Sequence, residues 1–418
     1  MPAPTKIYFS QVASSVWKDW VQVVNVDYEE STVLAVARNE KGETVWSGEK
    51  RLAPFQTWSI PVEPASEKQE LALTVSSNKG IVGERHCHFE TQVLAFPGAA
   101  PELKNVGRRL FFPEIRPKTA EWFRILNIDI NPALVNIIIR DTNGVPVKQF
   151  SSSQINPQCF VSFTDETAVD VYGTMEMIST QTILSERHLH YGEDIKGVAV
   201  GQLGQPLDVS PIPNKIHFAQ IAAGAWGDWV KVINVSNEEA KMLAIARDPN
   251  GQSVWTMEKS VRPFSDWVVP IDPVASKQDL SLTVMSDKQV VGERHCHLKT
   301  EVLPFPGAAP EMGTAGRRLF FPELIAGSYD FFRVLNITDQ TALVNAIIRD
   351  SNGIIIKQVS AQIPPFGYWT LRDEDTANTQ GTLEIMSTQI VVGERHLHYG
   401  QQYHPGVAIG QLGQVLDL

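Results

Sequence analysis

Glu84-Arg85-His86-Cys87-His88 returns later in the chain as Glu293-Arg294-His295-Cys296-His297. Two variants of the same stretch, Glu186-Arg187-His188-Leu189-His190 and Glu394-Arg395-His396-Leu397-His398, alternate with them. The four copies lie roughly 100 residues apart, the mark of a chain made by internal duplication. Other landmarks keep this register. Asn25, Asn127, Asn234 and Asn336 each follow an apolar run, and Arg38, Arg140, Arg247 and Arg349 each stand shortly before Gly42, Gly144, Gly251 and Gly353. Aromatic residues recur at Trp20, Trp122, Trp229 and Phe331, and again at Trp58, Phe160, Trp267 and Trp369.

The copies come in two kinds. The first and third share Phe-Pro-Gly-Ala-Ala-Pro-Glu, starting at Phe96 and Phe305, whereas the second and fourth share Gly-Gln-Leu-Gly-Gln, starting at Gly201 and Gly410. The working unit therefore reads as a pair of domains, itself duplicated, with repeats at 1–104, 105–208, 209–313 and 314–418. The stretches between repeats are short and rich in Pro and Ala, which favours fixed angles between neighbours.

Within the second repeat, runs rich in Val, Ile, Phe and Trp predict strands at 109–112, 122–128, 134–140, 145–150, 159–163, 173–178 and 183–191. Asn143-Gly144 supplies a hairpin turn, because glycine accepts the positive φ that a tight turn needs. No segment sustains a 3.6-residue apolar period, so helix content is expected to be low. About seven short strands per roughly 100 residues is the count of an immunoglobulin-like sandwich. In this respect the chain resembles the tandem immunoglobulin-like or fibronectin type III-like modules of bacterial surface proteins. The resemblance implies an all-β chain of four such sandwiches, arranged as a rod or a compact array.

Composition narrows the function. The 36 Lys and Arg against 47 Asp and Glu give a net charge of −11, which argues against a nucleic-acid partner. No apolar run approaches the length of a membrane helix. Three cysteines, Cys87, Cys159 and Cys296, cannot make a disulfide framework. The start of the chain lacks the basic and apolar regions of a secretory leader. The architecture favours the cell surface, while the lack of a leader keeps the cytoplasm in view. No nucleophile elbow, phosphate loop or dinucleotide fingerprint is present, so the expectation leans away from an enzyme.

The His-x-His strands are the chemically suggestive feature, since they carry eight of the ten histidines. Alternate residues on a strand share a face, so His86 with His88, His188 with His190, His295 with His297, and His396 with His398 each form a pair able to tilt toward one divalent transition metal. Each pair lacks a third ligand within its own strand. Glu84, Glu186, Glu293 and Glu394 are better placed to orient an imidazole than to join it on an ion. Arg85, Arg187, Arg294 and Arg395 fall on the opposite face and must find carboxylate partners. Presence of the motif in all four copies fits a duty that every repeat performs: holding the fold or contacting a neighbour.

Trp20 and Trp229 read as core. Trp17 and Trp226, which the other repeats lack, could instead stack on a sugar. Asn234 and Asn336 match a glycosylation pattern, but their place in the four-copy set marks them as structural. The leading expectation is thus a non-enzymatic structural or interaction protein, engaged in self-association or in binding a surface partner. A metalloprotein using the His-x-His strands for zinc, copper or iron, and a multivalent carbohydrate-binding protein, are the alternatives.

Overall fold

The computed structural model describes the chain except residues 1–2, 15–16, 90–91, 165–170, 192–197, 225–226, 276–278, 299–300, 373–375, 377, 401–406 and 418. The architecture is all-β, assembled from several antiparallel sheets that pack as sandwiches. The first repeat contains β1 (Lys6–Val12), β2 (Lys18–Asn25), β3 (Ser31–Arg38), β4 (Thr44–Leu52), β5 (Thr57–Ser59), β6 (Leu71–Ser77), β7 (Ile81–Phe89) and β8 (Gln92–Pro97). They form two sheets, ordered β1-β6-β3-β4 and β5-β2-β7-β8. The third repeat has the same pair of sheets.

Alternation explains what each strand buries. In β3, Val33, Ala35 and Ala37 point into the sandwich core with Ile7, Phe9, Leu73 and Val75, while Leu34 faces out. In β1 both faces are buried. Ile7 and Phe9 fill the repeat's own core, whereas Tyr8 packs on Leu126, Phe160 and Leu184 of the second repeat. A strand apolar on both faces is one covered on both sides.

The second and fourth repeats differ at one point. The strands expected at 173–178 and 183–191 are a single strand, Gly173–His190, which serves sheet partners on either side; Gly381–His398 repeats it in the fourth. In the first repeat Asn78, Lys79 and Gly80 interrupt the chain between β6 and β7, but Thr180, Gln181 and Thr182 hold the extended conformation. β-branched residues favour the strand, and Asn-x-Gly favours the turn. Among the described residues, helix is confined to single turns such as Glu63–Ser66 and Asp272–Ala275.

The hairpin between β3 and β4 docks on the next repeat, and the same contact recurs all the way around. The backbone at Gly42 lies against Pro157 and Cys159, Gly144 against Pro263, Gly251 against Pro365, and Gly353 against Pro54. The fourth repeat thereby meets the first, and the chain closes end to end. The arginines that precede these glycines join the same contacts. Arg140 lies 4.5 Å over the ring of Phe264, Arg247 5.0 Å over Phe366, and Arg349 4.0 Å over Phe55. Each of those phenylalanines adopts positive φ. The glycines of these hairpins are therefore joints between repeats, although neighbouring tip residues such as Asn143 and Asn352 stay exposed.

At the middle of the closed chain, β8 and its counterparts Ala199–Leu203, Glu301–Pro306 and Ala408–Leu412 come together. Ala95, Val200, Pro304 and Ile409 are among the residues that close this axis, and beside it lies a mostly apolar cavity of about 120 Å³ lined by all four repeats.

Candidate functional site

The Glu-Arg-His strand sits where one repeat meets two others. Even positions of β7 face the preceding repeat and odd positions, beyond the core, face the following one, because successive side chains leave a strand on opposite sides. Val82 thus packs with Phe320 and Leu416 of the fourth repeat, while Cys87 packs with Ala199 of the second. This alternation turns one pentapeptide into both halves of an interface.

The arginines point forward and the glutamates receive from behind. Arg85 Nη1 donates to Glu186 Oε1 at 3.0 Å, Arg187 Nη2 to Glu293 Oε1 at 2.9 Å, Arg294 Nη1 to Glu394 Oε2 at 3.0 Å, and Arg395 Nη1 to Glu84 Oε1 at 3.1 Å. The fourth pair returns to the first repeat, so the ion pairs make a cycle. All four guanidinium groups are fully buried. Each needs further acceptors at that depth. Asp19, Asp228 and Asp330 supply them to Arg85, Arg294 and Arg395 at 2.7–2.8 Å. In the second repeat Glu121 replaces the aspartate and turns to the backbone N–H of Arg116 at 3.0 Å, leaving Arg187 to Gln202 and the Glu114 carbonyl.

Electrostatics follow from burial and from these partners. Burial by itself would raise Glu186, but Arg85, together with bonds from His188 and Ser10, holds it down at about 2. Glu394 shifts the other way, since burial outweighs the Arg294 field, and His396 is 3.7 Å distant where His188 is 3.0 Å from its glutamate. Burial pushes Glu121 up to about 7. Burial also lowers His188 and His396.

The imidazoles of a pair lie side by side rather than converging. Ring centroids are 6.4 Å apart for His86 and His88, 6.5 Å for His188 and His190, and 6.1 Å for His295 and His297. Trp20, directly across from His86 in the sheet, stacks on both rings at 5.0 and 4.5 Å, and Trp229 does the same in the third repeat. Trp20 and Trp229 therefore cover the histidine strand and also pack, half-buried, against apolar clusters shared between repeats. Among the described residues, the groups of three donors close enough to share an ion contain one imidazole each: Glu84, His86 and Glu323, and Glu114, Glu293 and His295. The sequence reading missed Glu114 and Glu323. Their signal is a difference between repeats, since β1 carries Gln11 where the second repeat has Glu114, and Gln220 stands where the fourth has Glu323.

Tyrosine marks the same two junctions. The Tyr399 hydroxyl bonds His86 Nδ1 across the joint from fourth to first repeat, and the Tyr191 hydroxyl bonds His295 Nδ1 at 2.6 Å from second to third. Of the remaining sites expected from sequence, His190 Nδ1 meets Gln92 at 2.7 Å and His398 Nδ1 lies 3.3 Å from Glu301. Trp17 packs against Phe89 and His190, at 5.3 and 5.7 Å between rings. Trp226 lies outside the described residues. Asn234 and Asn336 are fully buried and bind backbone carbonyls, so neither presents an acceptor nitrogen to solvent.

No family model matches the chain, and neither does any curated protein. Among solved structures, Thermotoga maritima 1070 is similar at 16% identity, over 24% of this chain and 94% of that one, with a TM-score of 0.22. Dimeric latent PorU of Porphyromonas gingivalis follows at 8% identity, over 81% and 31%, with a TM-score of 0.15. A putative beta-galactosidase of Bacteroides fragilis shows 12% identity over 59% and 34%, with a TM-score of 0.12. No helix among the described residues is long and apolar enough to cross a membrane.

Proposed function

We propose that the chain is a non-enzymatic interaction protein, in which four β-sandwich domains with the repeat boundaries given above form a closed ring that offers like outer surfaces to a partner. The domains are immunoglobulin-like in the broad sense of two packed antiparallel layers of short strands. Their order β5-β2-β7-β8 joins the seventh strand to the second.

The observation that carries this reading is the cycle of buried Arg-to-Glu pairs ending in Arg395 and Glu84. It commits the most chemically reactive-looking strand of every repeat to holding its neighbours. What remains for partners is the outer sheet. Its edge strands, β4 and its counterparts Pro146–Ser151, Ser253–Val261 and Ile355–Ile363, carry the exposed residues Val45, Val147, Val254 and Ile355 respectively. Exposed edge strands are surfaces on which another chain can pair.

Photo-crosslinking groups placed at Val45, Val147, Val254 and Ile355 in cells test this. Capture of one and the same partner from at least two repeats is expected. Capture from none of the four positions, or from a single repeat, overturns a multivalent role.

A further inference from the structure

We propose that Glu84, His86 and Glu323, and likewise Glu293, His295 and Glu114, each hold one divalent first-row transition-metal ion that clamps one two-repeat unit to the other. This inference is independent of the identity of any partner. It also differs from a His-x-His chelate, because each site uses one imidazole and two carboxylates from facing repeats.

The geometry is that of a collapsed three-ligand shell. His86 Nε2 stands 2.6 Å from Glu84 Oε1 and 3.5 Å from Glu323 Oε2, and the three donor atoms lie within 4.8 Å of one another. Ligand atoms bound tetrahedrally at about 2.0–2.1 Å sit about 3.3 Å apart, so small side-chain rotations open the shell. His295 repeats the arrangement, with Glu293 in contact and Glu114 Oε2 at 3.5 Å.

The surroundings hold more than the ion pairs that Glu84 Oε1 and Glu293 Oε1 make with Arg395 and Arg187. Two buried carboxylates face a single imidazole nitrogen, and Glu114 Oε2, on a residue only 3% exposed, has no hydrogen-bond partner. A buried carboxylate oxygen so placed is costly unless a cation or donor meets it. The other imidazole nitrogen is already held, by Tyr399 in one site and Tyr191 in the other. Trp20 Nε1 donates to Glu323 Oε2 at 2.9 Å. Metal-bound imidazoles and carboxylates are oriented by outer partners of this kind. On binding, the ion takes the place of the proton that His86 Nε2 shares with Glu84, and that proton passes to solvent.

The other two junctions serve as internal controls. There the facing residue is a glutamine: Gln11 accepts from Arg85 at 3.3 Å, and Gln220 donates to Asp279 at 3.1 Å. A neutral carboxamide cannot supply the second negative ligand, so four similar strands yield two sites. Both sites join the first pair of repeats to the second pair. The two are also unequal. Arg116 Nη1 lies 3.7 Å from Glu114 Oε1, whereas Ile325 occupies the matching place beside Glu323, so the Glu323 site fills first.

The test is titration of untagged, chelator-stripped full-length protein with zinc chloride against a chromophoric competitor, and with cobalt(II) followed by visible absorption. Two ions per chain are expected, with one lost in Glu323→Gln, one lost in Glu114→Gln and both lost in the double variant. Glutamine already occupies these positions at the other junctions, and circular dichroism and gel filtration verify that each variant is folded. Zinc is expected to raise the wild-type melting temperature and to leave that of the double variant unchanged. A wild-type protein that binds no ion at micromolar concentration, or a folded double variant that still binds two, overturns the proposal.

Discussion

Arg395 donates to Glu84 across 3.1 Å although 311 residues separate them in the chain. The contact matches the one between Arg187 and Glu293 in residue type, depth and distance, so the joint between the chain's two ends is built like a joint in its middle. A closed cyclic arrangement of like units is usually reached by separate subunits. Here one chain reaches it alone, and each of the four buried arginines of the repeated motif meets a glutamate of the next repeat.

Closure predicts that Arg395→Met is as damaging as Arg187→Met. Removing either guanidinium strands buried carboxylates, at a cost of about 3–5 kcal/mol. Urea denaturation of both variants measures it. If the chain were open at its ends, Asp330 and Glu84 would be solvated and the Arg395 variant nearly silent.

Gly353 predicts a second effect at the same joint. Its φ is +86°, and a Cβ there would lie 2.3 Å from the Pro54 carbonyl oxygen. Gly353→Ala is expected to cost on the order of 2–3 kcal/mol from backbone conformation and clash together. Hydrogen exchange should quicken at the Thr57 amide, which donates to the Ser351 carbonyl at 3.0 Å across the joint.

His217 gives a pH dependence of defined sign. It stands where the other repeats have Tyr8, Phe111 and Phe320, and burial, aided by Lys215 and Arg247, lowers it to about 3. An unfolded histidine titrates near 6.5, so between about 6.5 and 3 the unfolded chain takes up the proton first, and wild-type stability falls with pH. His217→Phe removes this uptake. The stability of the variant relative to wild type should improve by about 2 kcal/mol between pH 7.5 and pH 5. Equal pH slopes in the two denaturation series would contradict the assignment.

The repeated asparagines predict a stability cost and a chemical silence. Asn336 Nδ2 donates to the carbonyls of Gln340, Ile363 and Pro364 at 2.7–3.3 Å, and its Oδ1 accepts from the Thr338 amide at 3.0 Å. Asn336→Ala should cost on the order of 2–3 kcal/mol, because buried carbonyls lose their donor. In a glycosylating host, intact mass should show Asn234 and Asn336 unmodified.

Much of the fold could be read from the residues. Strand positions in the second repeat, the scarcity of helix, the hairpin at Gly144 and the structural asparagines all follow from local rules: pleat alternation, turn chemistry and backbone hydrogen bonding. The fusion of 173–178 with 183–191 was the local error, since Thr180 and Thr182 extend the chain where Asn78 and Gly80 turn it.

Period-two alternation along the Glu-Arg-His strand was legible too, and it already separated Arg85 from His86. By itself the sequence determined that four like units exist, that they are β-rich, and that each carries a buried cation in need of an anion. Only the tertiary structure decided which anion. The partner of Arg85 is a glutamate of the next repeat, that of Arg395 lies back at the start, and Glu114 and Glu323 arrive at the imidazoles from strands that no spacing rule connects to them. Side-chain periodicity reports which face a residue takes, whereas the neighbour on that face depends on how whole repeats pack.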